Sequence, residues 1–181
     1  MNSEAIRNTL DAVWNISETE RPLIVKPAVG KELARMQQDL LELAGNGVRI
    51  PQVPADYLEF LEIANGFAWN GFEFFGTYQV TVKKSGYTLI DLVNFNGKMR
   101  QRKMGMDDLL VLGRFDDDIY VYNAGTKQYQ TLDSLTLTEI DTWDGFDELF
   151  VASVTPYIDP DEDPDDEYPP DDEQPGIDAY D

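Results

Sequence analysis

Carboxylates are the groups in this chain whose number and spacing could do chemistry. Asp116, Asp117 and Asp118 are consecutive, Asp144, Asp147 and Glu148 fall within five residues, and Asp159, Asp161 and Asp163 alternate. The first set could ligate a metal, the second could pair a general acid with a general base, and the third has the look of a calcium loop. A calcium loop needs glycine at its sixth position and a bidentate Glu at its twelfth. Those positions are Pro164 and Pro170 here, so that reading fails. Three acids between two apolar runs read first as a solvated turn whose side chains diverge, and second as an acidic knob facing a partner. Asp144 and Glu148 sit where the dipole of a following helix favours negative charge without any catalytic role. Nothing places two carboxylates across a cleft, as a glycosidase would need. Asp116, Asp117, Asp118, Asp144 and Glu148 are therefore candidate partner contacts. Trp69, beside the Asn70-Gly71 turn, joins them as an aromatic expected to be exposed, whereas Trp14, Trp143 and the aromatics from Phe67 to Tyr78 read mainly as core.

Composition narrows the chemistry further. The 181 residues include 14 basic and 35 acidic side chains, a net charge of −21, with no His and no Cys. This excludes Ser-His-Asp and Cys-His nucleophile systems, zinc sites of the usual kinds, disulfides and thiol redox chemistry. No phosphate loop, dinucleotide fingerprint or nucleophile elbow is present either, so no catalytic residue, cofactor or metal is expected. Nucleic acid and anionic membranes are bound mainly through Lys and Arg, and so large a negative charge argues against both. Twelve of the acids lie in residues 159–181 with five prolines and no base, which reads as an extended, mobile tail that cannot bury enough apolar surface to order itself. Residues 1–158 keep 23 acids and 14 bases, a net of −9, and are long enough for one ordinary core. The basic run Lys98, Arg100, Arg102, Lys103 reads as a solvated helix end, with a sharper alternative in which it attracts the tail together with Lys83 and Lys84. Without a leader-like start or an apolar run of about 18 residues, a cytoplasmic location is expected.

The elements that must position these residues are legible from periodicity. Ile6, Leu10, Val13 and Trp14 predict one face of a helix capped by Ser3. Arg21 to Pro27 predicts extended chain. Val29, Leu33, Met36, Leu40 and Leu43 predict a second helix, stopped at Asn46-Gly47. A third helix starts at Pro54 and ends at Asn65-Gly66. Phe67 to Val82 is strand-like, with a hairpin at Asn70-Gly71. Leu89, Leu92, Val93, Asn96 and Met99 predict a fourth helix. Leu109 to Phe115, Ile119 to Tyr122 and Gln128 to Leu132 predict an antiparallel meander, and Phe146 to Val154 a last helix capped by Thr142 or Asp144. The sum is an α+β domain over 1–158, with helices at both ends and antiparallel strands between them.

One stretch is more specific than these patterns. Val53-Pro54-Ala55-Asp56-Tyr57-Leu58-Glu59-Phe60-Leu61, then Asn65-Gly66, then Gly71-Phe72-Glu73-Phe74-Phe75-Gly76, resembles the signature of the SMI1/KNR4, or SUKH, superfamily. Leu112-Gly113, the acidic turn, Ile119 to Tyr122 and the helix around Phe146 to Phe150 continue the resemblance, which covers roughly residues 30–155. It implies an α+β fold with helices packed around a curved antiparallel β-sheet, in which Pro54, Asp56, Tyr57, Leu61, Asn65, Gly66 and Gly76 are structural signature positions. It also implies a non-enzymatic binding protein, in the bacterial case an immunity protein that neutralises a cognate toxin. A toxin with a basic, nucleic-acid-holding surface fits an acidic inhibitor. Fungal relatives imply the alternative, a housekeeping regulator or scaffold.

Overall fold

In the computed structural model the described residues are 1–16, 21–45, 49–102 and 104–158. The expectations for Asn46-Gly47, for Lys103 and for the 159–181 tail lie outside them. Among the described residues, five α-helices and a seven-stranded antiparallel sheet form one α+β domain.

Helix α1 (Ser3–Ile16) takes Ser3 into its first turn, and Asn2 caps it instead, its Oδ1 accepting the Ala5 N–H at 3.2 Å. Ile6, Leu10 and Val13 are buried as their spacing requires, but Trp14 is 49 % exposed. It lies roughly 100° around the helix from Val13. Thr9 takes the inward position in its place, with its hydroxyl returned to the Ala5 carbonyl at 3.0 Å. Strand β1 (Leu23–Ile24) pairs with β2 within the extended stretch. Helix α2 (Gly30–Gly45) begins after Val29, whose N–H is accepted by the Glu32 carboxylate at 2.9 Å, leaving the Val29 side chain outside the buried stripe of Leu33, Met36 and Leu40.

Helix α3 (Ala55–Ile63) has Pro54 as an extended N-cap, and the chain turns out of it through Gly66 at φ +110°. Strands β2 (Phe67–Trp69) and β3 (Phe72–Phe74) follow. Asn70 (φ 47°) and Gly71 (φ 87°) form the two-residue turn whose twist matches the hairpin. A separate ribbon, β4 (Val80–Thr81) with β5 (Thr88–Leu89), takes Leu89 out of the predicted fourth helix. Helix α4 (Leu92–Arg102) starts only after Asp91, whose Oδ1 accepts the Asn94 N–H at 2.8 Å.

The meander is β6 (Leu109–Phe115), β7 (Asp118–Asn123) and β8 (Gln128–Asp133), extended by an edge strand β9 (Glu139–Trp143) that the sequence reading left out. Helix α5 (Phe146–Val154) and a 3₁₀ turn at Thr155–Tyr157 close the described chain. The sheet order is β1-β2-β3-β6-β7-β8-β9.

Helices α1, α3 and α5 pack together on one face of the sheet. There Phe60, Phe67, Phe74, Phe146 and Phe150 make ring contacts and Phe74 stacks on Tyr120 at 5.1 Å. The other face takes α4. Its buried Asn96 accepts the Val111 N–H at 3.0 Å and donates to the Val111 carbonyl at 2.7 Å, so a helix side chain replaces a strand neighbour. Arg100 braces this clamp through the Asn96 Oδ1 at 2.8 Å and the Met106 and Leu109 carbonyls. Burial pushes its guanidinium down to about 10, which leaves it charged at neutral pH. Among the described residues no helix is long and apolar enough to cross a membrane.

Candidate protein-binding groove

The seven signature residues are occupied inside the fold. Tyr57 is fully buried, and its hydroxyl donates to the carbonyls of Phe75 (2.7 Å) and Leu112 (2.9 Å), the latter at the irregularity in β6 between Val111 and Gly113. Burial raises that hydroxyl well above the usual phenol range. Asp56 reaches out of α3 to two other elements. Its Oδ1 accepts the Tyr129 hydroxyl of β8 and its Oδ2 accepts the Phe146 N–H at the start of α5, 3.2 Å away. That bond is the cap of α5. Neither Thr142, which belongs to β9, nor Asp144 supplies one, and the N-cap residue is Gly145 without a side-chain bond. Asn65 accepts the Thr77 N–H at 2.8 Å and donates to its hydroxyl at 2.9 Å, and Gly76 lies so close that any Cβ there would collide with the Asn65 carbonyl. Gly66 supplies the left-handed turn and Leu61 is wholly buried.

The acidic candidates separate into two groups. The turn between β6 and β7 has two residues, Asp116 (φ 50°) and Asp117, because Asp118 is already the first residue of β7, directly opposite Asp133 on β8. Desolvation first, and then the charges of Asp133, Asp117 and Asp116, raise the Asp118 carboxyl above its ordinary value. Asp144 and Glu148 lie at the other end of the sheet. Glu148 accepts the Asp144 N–H at 3.3 Å, and Asp144 accepts Gln128 Nε2 at 3.5 Å, where β8 begins. Both are exposed. The two sets are separated by the length of β8, on the order of 17 Å. Trp69 is half-buried against the core at the end of β2 and is not the exposed anchor expected of it.

What gathers around Asp118 is a groove of about 300 Å³ between the β9 edge and the end of α5. Asp118 and Asp141 supply carboxylates, Tyr120, Trp143 and Tyr157 supply aromatic surface, and Ile140, 51 % exposed, stands at its edge. No basic side chain lines it among the described residues. Burial pushes the Tyr120 hydroxyl up to about 12, so it remains protonated and neutral. Two carboxylates beside flat aromatic walls suit a Lys or Arg side chain, whose methylene stem covers apolar surface while its head meets charge and ring face.

Asp141, Trp143 and Tyr157 were not among the sequence candidates. The signal for the first two was present in Glu139-Ile140-Asp141-Thr142-Trp143, an alternating run with β-branched and aromatic residues, the pattern of an edge strand. Among the described residues no cluster of three or more acidic side chains is arranged to hold a metal ion. No family model matches this chain, and no curated protein matches it.

Proposed function

We propose that this protein is a non-catalytic protein-binding module of the SMI1/KNR4 type, an immunity protein that seats a Lys or Arg of a basic toxin in the groove formed by Asp118, Asp141, Tyr120, Trp143 and Tyr157. The observation that carries the reading is the placement of the Asp118 and Asp141 carboxylates beside Tyr120, Trp143 and Tyr157 in a groove whose described lining has no basic side chain; desolvation and three neighbouring acids raise the Asp118 carboxyl further. A partner's basic group supplies a countercharge on the groove side of these carboxylates. A toxin that acts on nucleic acid must present Lys and Arg to phosphate, and an acidic groove competes for the same side chains. The net charge of −21 steers such a partner in and raises its association rate, while Trp143 and Ile140 at the groove slow its departure.

The test is mixing the purified chain with the product of a toxin-like gene encoded beside its own, read by size-exclusion chromatography, calorimetry and protection of toxin-expressing cells. A complex should form, and Asp118→Lys with Asp141→Lys should weaken it by about tenfold or more, since the two reversals set like charge against the partner's basic group. Binding that survives the double reversal would put the partner elsewhere, and no binding by the unaltered chain would overturn the immunity reading.

A further inference from the structure

Two clefts on the α4 side of the sheet bring basic side chains together. One cleft of about 450 Å³, between the β2–β3 turn and the β4–β5 ribbon, has Arg21, Trp69 and Tyr87 on its walls. Lys83 and Lys84 stand in the ribbon's turn, between Val82 and Ser85 of that same lining. A second cleft of about 460 Å³ runs between α4 and strands β6 and β7. Lys98, Arg102 and Arg114 line it together with apolar Ile90, Phe95 and Met99.

The buried carboxylate of Glu73 lies between the two. Arg114 grips it with two bonds, Nε to Oε2 at 2.7 Å and a second nitrogen to Oε1 at 3.1 Å, and the Tyr87 hydroxyl donates to it at 2.7 Å. Glu73 is therefore compensated from within. Lys83, Lys84, Lys98 and Arg102 are all exposed and form no ion pair among the described residues. Asp116 and Asp118 at the second cleft do not outnumber them.

Residues 159–181 carry twelve side-chain carboxylates and no base, and they follow Ile158, the last described residue. Tyr157 meets the Phe72 ring edge-on at 5.0 Å and Phe115 at 5.3 Å. Phe72 also lines the first cleft, and Asp118 is common to the groove and the second cleft. The described chain thus ends at the end of the sheet around which both clefts open. Twenty-three residues can span on the order of 75 Å, against a radius of gyration of about 15 Å for a domain of this size. Tethering alone supplies an effective concentration of about millimolar. Tyr168, Ile177 and Tyr180 are the large apolar residues of 159–181, and the second cleft has apolar Ile90, Phe95 and Met99.

We propose that the two clefts form a docking site for an acidic peptide and that its occupant is this chain's own segment 159–181. The contact withholds the cations from other polyanions and leaves the acidic groove as the face offered to a partner. It involves no external protein, so its test is independent of the toxin-binding reading.

The chain has no cysteine, so Gln174→Cys gives one attachment site for a nitroxide label on the full-length protein. In low salt the label should broaden the amide signals of Lys84, Ser85, Lys98 and Arg102 several-fold more than those of Gln38 and Leu41 on α2. The difference should vanish near 1 M salt, where the screening length falls to about 3 Å. It should also vanish in the Lys98→Glu, Arg102→Glu variant, whose folding is checked from the unchanged remainder of the spectrum. Broadening that merely fades with distance from Ile158, or that ignores salt and charge reversal, overturns the proposal. So does equal broadening when labelled protein is mixed with isotope-enriched unlabelled protein, since the occupant is then a second copy.

Discussion

Removing Asp56 should break the domain at the join of three elements. Its carboxylate holds the Tyr129 hydroxyl from β8 and the Phe146 N–H from α5, and those two residues are only 2 % and 0 % exposed. Neither donor can turn to water when the carboxylate is gone. A hydrogen bond to a charged acceptor contributes about 1.5–3 kcal/mol, and a helix cap about 1 kcal/mol. Asp56→Ala should therefore cost about 3–4 kcal/mol in urea unfolding at pH 7, with an unchanged m-value, and lower the melting temperature by about 10 °C. Tyr129→Phe should cost about 2 kcal/mol, because the carboxylate keeps its second donor. The double variant should fall short of the sum by about 1.5 kcal/mol or more, the coupling of the bond itself. Asp56→Asn should lie between wild type and alanine, since Tyr129 can reverse its hydroxyl and accept from the amide. Losses that add to within about 0.5 kcal/mol would refute the tie and leave Asp56 as no more than a first-turn charge.

Gly76→Ala places a methyl against the Asn65 carbonyl, whose residue is anchored through Val25 and Thr77, and should cost at least about 3 kcal/mol in thermal melts, whereas Gly30→Ala meets open space and should stay within about 1 kcal/mol of wild type. Asn96→Leu strips the Val111 N–H and carbonyl of their partner and leaves Arg100 short of an acceptor, a loss of about 3 kcal/mol or more by denaturant titration. Asp118 works in the opposite sense. Its folded value is raised, so its contribution to stability is fully present below the unfolded carboxylate value and lost as pH rises through the folded one. Asp118→Asn should therefore stabilise the free protein at pH 7, with the gain gone near about pH 3, while weakening any complex made through the groove; equal stability at both pH values would remove the strain argued for this carboxyl.

The helices were legible because their apolar stripes repeat, and the β2–β3 hairpin because Asn70-Gly71 has one dominant backbone solution. The errors fall where a long-range partner decides. Asn2 replaces Ser3 at the cap of α1 by one position, but α5 is capped by Asp56 from 90 residues away, which no local pattern encodes. Leu89 fits a helical spacing and still becomes strand, because it pairs with Val80. Strand β9 went unread although its alternation was present, since at a sheet edge its side chains stay half-buried or exposed and the apolar contrast is low. The groove was half legible. Asp118 stood out by charge, but Asp141 and Trp143 become its neighbours only through the β7-β8-β9 register, where Tyr129 opposes Trp143 and Thr131 opposes Asp141.

That register bears on how binding and folding divide the sequence. Pro54, Asp56, Tyr57, Asn65 and Gly76 are held by hydrogen bonds, cap geometry or steric fit to other parts of the same chain, so a partner cannot engage them without unfolding what they join. The groove residues differ in kind. Tyr157 is 43 % exposed although its ring also meets Phe72 and Phe115, and Asp141 and Ile140 are exposed on an edge strand that the core does not oblige to carry those side chains. Substituting them should alter a partner's affinity with little change in stability, while substituting the signature residues should do the reverse. Ile140→Ser and Asp141→Ser are the variants that separate the two: each should melt within about 1 kcal/mol of wild type. A large loss of stability from either would mean that the groove wall is part of the core and that the partner's contacts must be sought elsewhere.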